Sequence, residues 1–156
     1  MRLHLLAVGQ RQPDWVNTAF AEYAKRLPAH CKLVLHEITA GNRKQTPDIE
    51  RIKREESERL LKAIPATAVV IALDEHGRSL NTRELSNHFN DWLQDGRDVA
   101  MLVGGADGLD QSCLDRADWH WSLSALTLPH GLARIMVAEQ LYRAWSLLEG
   151  HPYHRE

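Results

Sequence analysis

The chain has 156 residues, 44% of them hydrophobic and 26% charged, with a formal net charge of -2 when histidine is neutral. That length fits a single domain over residues 1–156 with a self-sufficient core, and the charge balance excludes a strongly basic nucleic-acid-binding domain, leaving room for a local basic patch at most. No apolar run approaches the roughly 18 residues of a membrane span, and Cys31 and Cys113, which make no metal spacing, read as reduced thiols in a cytoplasmic protein without a signal peptide.

In chain order, residues 2–8 (RLHLLAV) suit a buried strand that Gly9 ends. Pro13 and Asp14 open a helix whose apolar face is Trp15, Ala19, Phe20, Tyr23 and Leu27, with Pro28 as its stop. Residues 32–38 (KLVLHEI) form a second strand, and the polar stretch 39–47 reads as a loop. Thr46 or Asp48 caps a second helix with sparse apolar positions at Ile49, Ile52, Leu60 and Leu61. Residues 68–73 (AVVIAL) are continuously apolar, the mark of a strand buried on both faces. Residues 74–78 are its exit loop, and Asn81 and Glu84 have capping-box spacing for a helix reaching about Gln94. Residues 99–103 are the next buried strand, Asp110 caps a short helix through Ala117, and residues 119–123 form the last strand. The longest helix covers residues 131–149 and a tail follows. Strands alternating with helices predict an α/β fold, a mostly parallel sheet covered on both faces.

Three loops, 73–77, 104–108 and 124–129, then fall at strand carboxyl ends, where open α/β sheets bind ligands. The first glycines let backbone approach a ligand closely. Gly-Gly-Ala-Asp-Gly at 104–108 matches neither phosphate-binding glycine pattern, and Asp107 would repel a phosphate. The pocket suits a ligand held by backbone amides and apolar contact, such as an adenine ring on an uncharged linker.

Four stretches in order carry a resemblance: LVGGADG at 102–108, WSLSALTLPHGLAR at 121–134, EQLYRA at 139–144 and HPYH at 151–154. With Asp14-Trp15 and the chain length, they resemble the RlmH family, the SPOUT-class pseudouridine N3-methyltransferases of bacterial 23S rRNA, over the whole chain. Gln10 departs from the Lys that members often carry there. The resemblance implies a C-terminal trefoil knot, S-adenosylmethionine as cofactor, an obligate homodimer and action on the ribosome. It also implies cofactor contacts at Leu73, Gly104, Leu123, Ser124, Ala125, Leu126, Thr127 and Leu128. A knot lies outside what periodicity can predict, since knots are almost absent among proteins.

The last helix carries two apolar stripes, one through Leu132, Ile135, Met136, Tyr142, Trp145 and Leu148 and one through Val137, Leu141 and Ala144. Such a helix is either central to its own core or shared with a partner subunit; the resemblance favours the partner. The tail reads as a substrate clamp: Tyr153 to stack on a base, His154 and Arg155 to meet phosphate or base oxygen. His151 and His154 lack a third ligand for a metal.

Methylation at N3 needs a base for the departing proton, and His130 and His154 are the candidates. Arg134 and Arg155 are candidates to stabilise charge on the uracil oxygens. Glu139 and Tyr142 are candidates to orient these groups, with a Glu139 ion pair to Arg134 or Arg143 as the plainer reading. The basic run from Arg43 to Lys62 is interleaved with acids and reads either as a solvated helix face or as an rRNA-facing patch. Two rivals are a nucleotide hydrolase using Asp74 and Asp107 and a non-catalytic ribosome-binding factor that retains the cofactor pocket.

Overall fold

The computed structural model describes residues 1–43, 46 and 48–154. The strands are β1 (Leu3–Val8), β2 (Leu33–Ile38), β3 (Val69–Ser79), β4 (Val99–Val103) and β5 (Trp119–Ser122). The helices are α1 (Asp14–Ala24), α2 (Ile49–Ala63), α3 (Thr82–Asp95), α4 (Gln111–Arg116) and α5 (His130–Leu148). All strand pairs are parallel, in the order β2-β1-β4-β3-β5.

Every residue of β1 and β4 is buried, because helices cover both faces. On one face Leu3, Leu5, Ile71 and Met101 meet Phe20 of α1, Phe89 of α3 and Leu141 of α5. On the other, Leu6, Val70 and Leu102 meet Leu60 of α2 and Cys113 of α4. Full burial of each such side chain contributes roughly 1.5–3 kcal/mol.

Local signals set the element ends. Asn81 Oδ1 accepts the Glu84 N–H at 2.8 Å and Glu84 Oε2 accepts the Asn81 N–H at 2.8 Å, closing the capping box of α3. Gly96 ends that helix at φ +83°, where only glycine is unstrained. Asp48, rather than Thr46, caps α2 by accepting the Arg51 N–H at 3.2 Å.

Two sequence expectations change. The apolar face predicted for the first helix holds at Phe20, Tyr23 and Leu27 but not at its start, where Val16 is buried in place of Trp15, which is 58% exposed. Residues 74–78 are not an exit loop, because β3 continues to Ser79. It pairs with β5 at 71–73, shifts register, and pairs again through Arg78 and Ser79. Gly77 permits the shift: a Cβ there would stand 2.7 Å from the His120 carbonyl carbon.

Helix α5 follows the edge strand β5, yet packs against both α1 and α3. Val137, Ala138, Leu141 and Ala144 face the core, whereas Leu132 is 41% exposed and Ile135 and Met136 are half-buried. Of the first predicted stripe, Tyr142 is buried and Trp145 and Leu148 pack on the core, so only its start, Leu132 to Met136, is left partly uncovered in the single chain.

Candidate active site

A cleft of about 940 Å³ lies at the carboxyl ends of β3, β4 and β5. Its walls come from 73–76, from the turn 103–109 after β4, and from the segment leading into α5. The glycine turn closes on itself: the Gly108 N–H donates to the Gly105 carbonyl at 3.0 Å. A Cβ on Gly104 would stand 2.5 Å from the Gly108 carbonyl carbon, so the turn must present bare backbone there.

The segment from β5 to α5 is shaped by its own hydroxyls. Ser122 Oγ donates to the Ser124 carbonyl at 3.1 Å, and Ser124 Oγ accepts the Leu126 N–H at 2.9 Å. Thr127 Oγ1 donates to Glu75 Oε2 at 3.3 Å, joining two walls of the cleft. Leu73, Gly104, Leu123, Ser124, Leu126, Thr127, Leu128 and His130 therefore line one cleft; Ala125 is exposed and lies off its lining. His130, half-buried on the first turn of α5, is held below the ordinary histidine range by burial and then by the Arg134 charge.

Arg134 takes a different place. Its side chain is fully buried; Nη1 donates to Glu37 Oε2 at 2.8 Å and Nη2 to the Gly9 carbonyl at 2.8 Å. It ties α5 to the ends of β1 and β2 and does not line the cleft.

Glu139, Tyr142 and Tyr153 gather along the middle of α5. Arg143 Nε donates to Glu139 Oε1 at 2.9 Å, which makes Arg143 the ion-pair partner, and the Tyr153 hydroxyl donates to the same oxygen at 2.8 Å. The Tyr153 ring packs against Tyr142 at a tilt of 56° with centroids 4.6 Å apart, and the Arg143 and Arg26 guanidiniums lie 5.1 and 5.8 Å from its centroid. Among the described residues, His154 Nδ1 is buried with no hydrogen-bond partner. Arg155 lies outside the described residues. The Tyr153 bond brings the tail back to Glu139, nine residues along α5 from His130, about 13–14 Å of helix axis.

Sequence reading put Glu75 in a cleft loop and Lys53 in the basic run without singling either out, although both line the cleft, and it missed Glu56, which is only 4% exposed. Glu56 is four residues from both Ile52 and Leu60, on the same buried helical face, and that spacing was the available signal. Of the hydrolase pair, Asp107 is engaged by Arg43. Among the described residues, no group of three or more His, Cys, Asp or Glu side chains could hold a metal ion. Among the described residues, no helix is long and apolar enough to cross a membrane.

A parallel α/β sheet with a glycine-turn cleft at its carboxyl edge defines a ligand-binding enzyme class rather than one activity. A family model described as predicted SPOUT methyltransferase matches residues 1–154, and the chain belongs to that family. It is 59% identical over 156 residues to a ribosomal RNA large subunit methyltransferase H of Thioalkalivibrio sulfidiphilus, covering 100% of both chains. It is 53% identical, also over 100% of both chains, to the protein of the same name from Hydrogenovibrio crunogenus. In fold it is similar to a probable methyltransferase of Bordetella pertussis, with a TM-score of 0.57 and 15% identity over 92% of this chain and 95% of that one.

Proposed function

We propose that this chain is an S-adenosylmethionine-dependent methyltransferase that methylates N3 of a 23S rRNA pseudouridine on the assembled ribosome, as a cytoplasmic homodimer. The observation that carries the reading is the convergence of three separate segments, 73–76, 103–109 and 121–130, on one cleft. Relatives named as large-subunit rRNA methyltransferases at 53% and 59% identity support the substrate class.

The residues present suit the cofactor. Leu73, Leu109, Leu123, Leu126 and Leu128 offer apolar walls to an adenine ring, and the bare backbone at Gly104 offers close main-chain contact. Asp74 and Glu75 set carboxylates beside a cationic ligand. When bound, S-adenosylmethionine supplies an electrophilic methyl group. The chain's work is to hold that methyl in line with N3, an alignment that contributes about 7–11 kcal/mol. His130, favoured in its neutral form by burial, is placed to accept the N3 proton, a contribution of roughly 10²–10⁴-fold. His154 is the alternative base. Arg134 acts as a positioning residue that fixes the first turn of α5.

The tail is assigned to the partner's cleft. Exposed Trp15 and Leu132, with half-buried Ile135 and Met136, support a symmetric interface along α1 and α5. With the two copies of α5 antiparallel, Tyr153 and His154 of one subunit approach the cleft of the other, with Glu139 and Tyr142 orienting them, and Arg155 is assigned to the RNA by the resemblance alone. The return of α5 from the sheet edge to α1 and α3 supports the trefoil knot.

Nucleoside mass spectrometry of 23S rRNA from a strain lacking this protein tests the reading. N3-methylpseudouridine is expected to disappear and to return with the gene. Cofactor binding by calorimetry without any methyl transfer would favour a non-catalytic ribosome-binding factor.

A further inference from the structure

Three side chains of α2 pin the segment that follows β2. Arg59 Nη1 donates to the Thr39 carbonyl at 2.8 Å, and Glu56 Oε2 accepts the Gly41 N–H at 2.8 Å. Ile52 Cγ2 lies 2.8 Å from where a Gly41 Cβ would stand, so only glycine lets the segment lie this close to α2. The other Glu56 oxygen sits 2.7 Å from the position of a Gly105 Cβ. One buried carboxylate thus holds this segment by a hydrogen bond and packs directly against the glycine turn.

Two residues beyond Gly41, Arg43 reaches across to Asp107 on the glycine turn. Asp107 lines the cleft, and so does Lys53, which α2 carries one residue after Ile52. The same cleft holds Asp74 and Glu75, which would repel an approaching polyanion. Arg43 and Lys53 are the cations set against them. The Arg43 side chain is 45% exposed and so can turn to another anion, whereas Asp107 is 17% exposed, so the phosphate contacts must offset the cost of leaving that carboxylate unpaired. A guanidinium also matches a phosphate with two parallel hydrogen bonds.

We infer that Arg43 and Lys53 form a phosphate-binding ledge at the mouth of the cleft. There Arg43 leaves Asp107 to seat an RNA backbone phosphate beside the target nucleotide. The inference rests on the rRNA methyltransferase reading above. Such a contact positions the RNA without reading its sequence, and Glu56 is a positioning residue for it.

The test uses the full-length protein, S-adenosylmethionine, and ribosomes from a strain lacking the modification. R43A should raise KM for ribosomes about tenfold or more, with R43K recovering part of the loss and K53A giving a smaller rise. The slope of log KM against log salt should become shallower by about one for R43A. The dissociation constant for S-adenosylmethionine, read by calorimetry, should stay within about twofold. D107N should lower KM severalfold by freeing Arg43. Unchanged KM in R43A would overturn the ledge, as would a rise in D107N equal to that in R43A, which marks a purely structural pair. Weakened cofactor binding with normal KM for ribosomes would place Arg43 against the cofactor's carboxylate instead. Failure of the wild-type chain to methylate ribosomes at all would overturn the underlying reading and the ledge together.

Discussion

The Tyr153 hydroxyl donates to Glu139 Oε1 at 2.8 Å, and that bond folds the tail back onto the helix it leaves. Burial first, and the Glu139 bond second, push the Tyr153 phenol up to about 12 from its ordinary 10.0. The raised value means that docking favours the neutral phenol. The docking contribution is complete below the unfolded value of 10.0 and is lost as pH rises through about 12. A spectrophotometric titration should show a phenolate step near 12 in the wild type that is missing in Tyr153→Phe. The same step in both proteins would show that Tyr153 is not docked in solution.

Fully buried Arg134 makes a stability prediction. Arg134→Ala removes the partner of Glu37 and of the Gly9 carbonyl and leaves a cavity. Urea denaturation should show a loss of about 3 kcal/mol. Glu37→Gln, at a partly exposed side chain, should cost less, about 1 kcal/mol.

Gly104 and Gly108 should differ in what a methyl group does to them. In Gly104→Ala the new Cβ meets the Gly108 carbonyl carbon, which is backbone and cannot swing aside. The turn must deform, costing about 1–3 kcal/mol and the cofactor affinity with it. Gly108→Ala points into open space at φ +81°, so it should cost only the left-handed strain of about 1–2 kcal/mol. Calorimetry with S-adenosylmethionine on both variants, beside their denaturation curves, separates the two effects.

The proposed sharing of sites between subunits can be tested by mixing. Gly104→Ala disables a cleft and His154→Ala disables a tail. If each cleft uses the partner's tail, an equal mixture allowed to exchange subunits has one intact site in each heterodimer. It should therefore recover about a quarter of wild-type activity. If cleft and tail act within one chain, the mixture stays as inactive as its parents.

Much of this architecture was legible from residue patterns. The runs 68–73 and 99–103 announced buried strands because both of their faces are covered. Asn81 and Glu84 announced a helix start because their capping box is purely local. The end of β3 was hidden, since Asp74, Glu75, His76 and Arg78 are polar and pair with an edge strand whose position depends on the whole topology. Trp15 was misplaced because its exposure reflects a surface that hydrophobicity reads as core. Of the candidate site, the cleft-lining leucines and Ser124 followed from strand ends and resemblance. Periodicity could not place the tail, because its fold back onto Glu139 and Tyr142 is a tertiary contact that no local pattern encodes.

The most direct measurement incubates the purified protein with S-adenosylmethionine and ribosomes lacking the modification, then digests the 23S rRNA for nucleoside mass spectrometry. One N3-methylpseudouridine should form per large subunit, with much less on protein-free 23S rRNA. No methyl transfer, or a methyl group on a different nucleoside, would contradict the assignment.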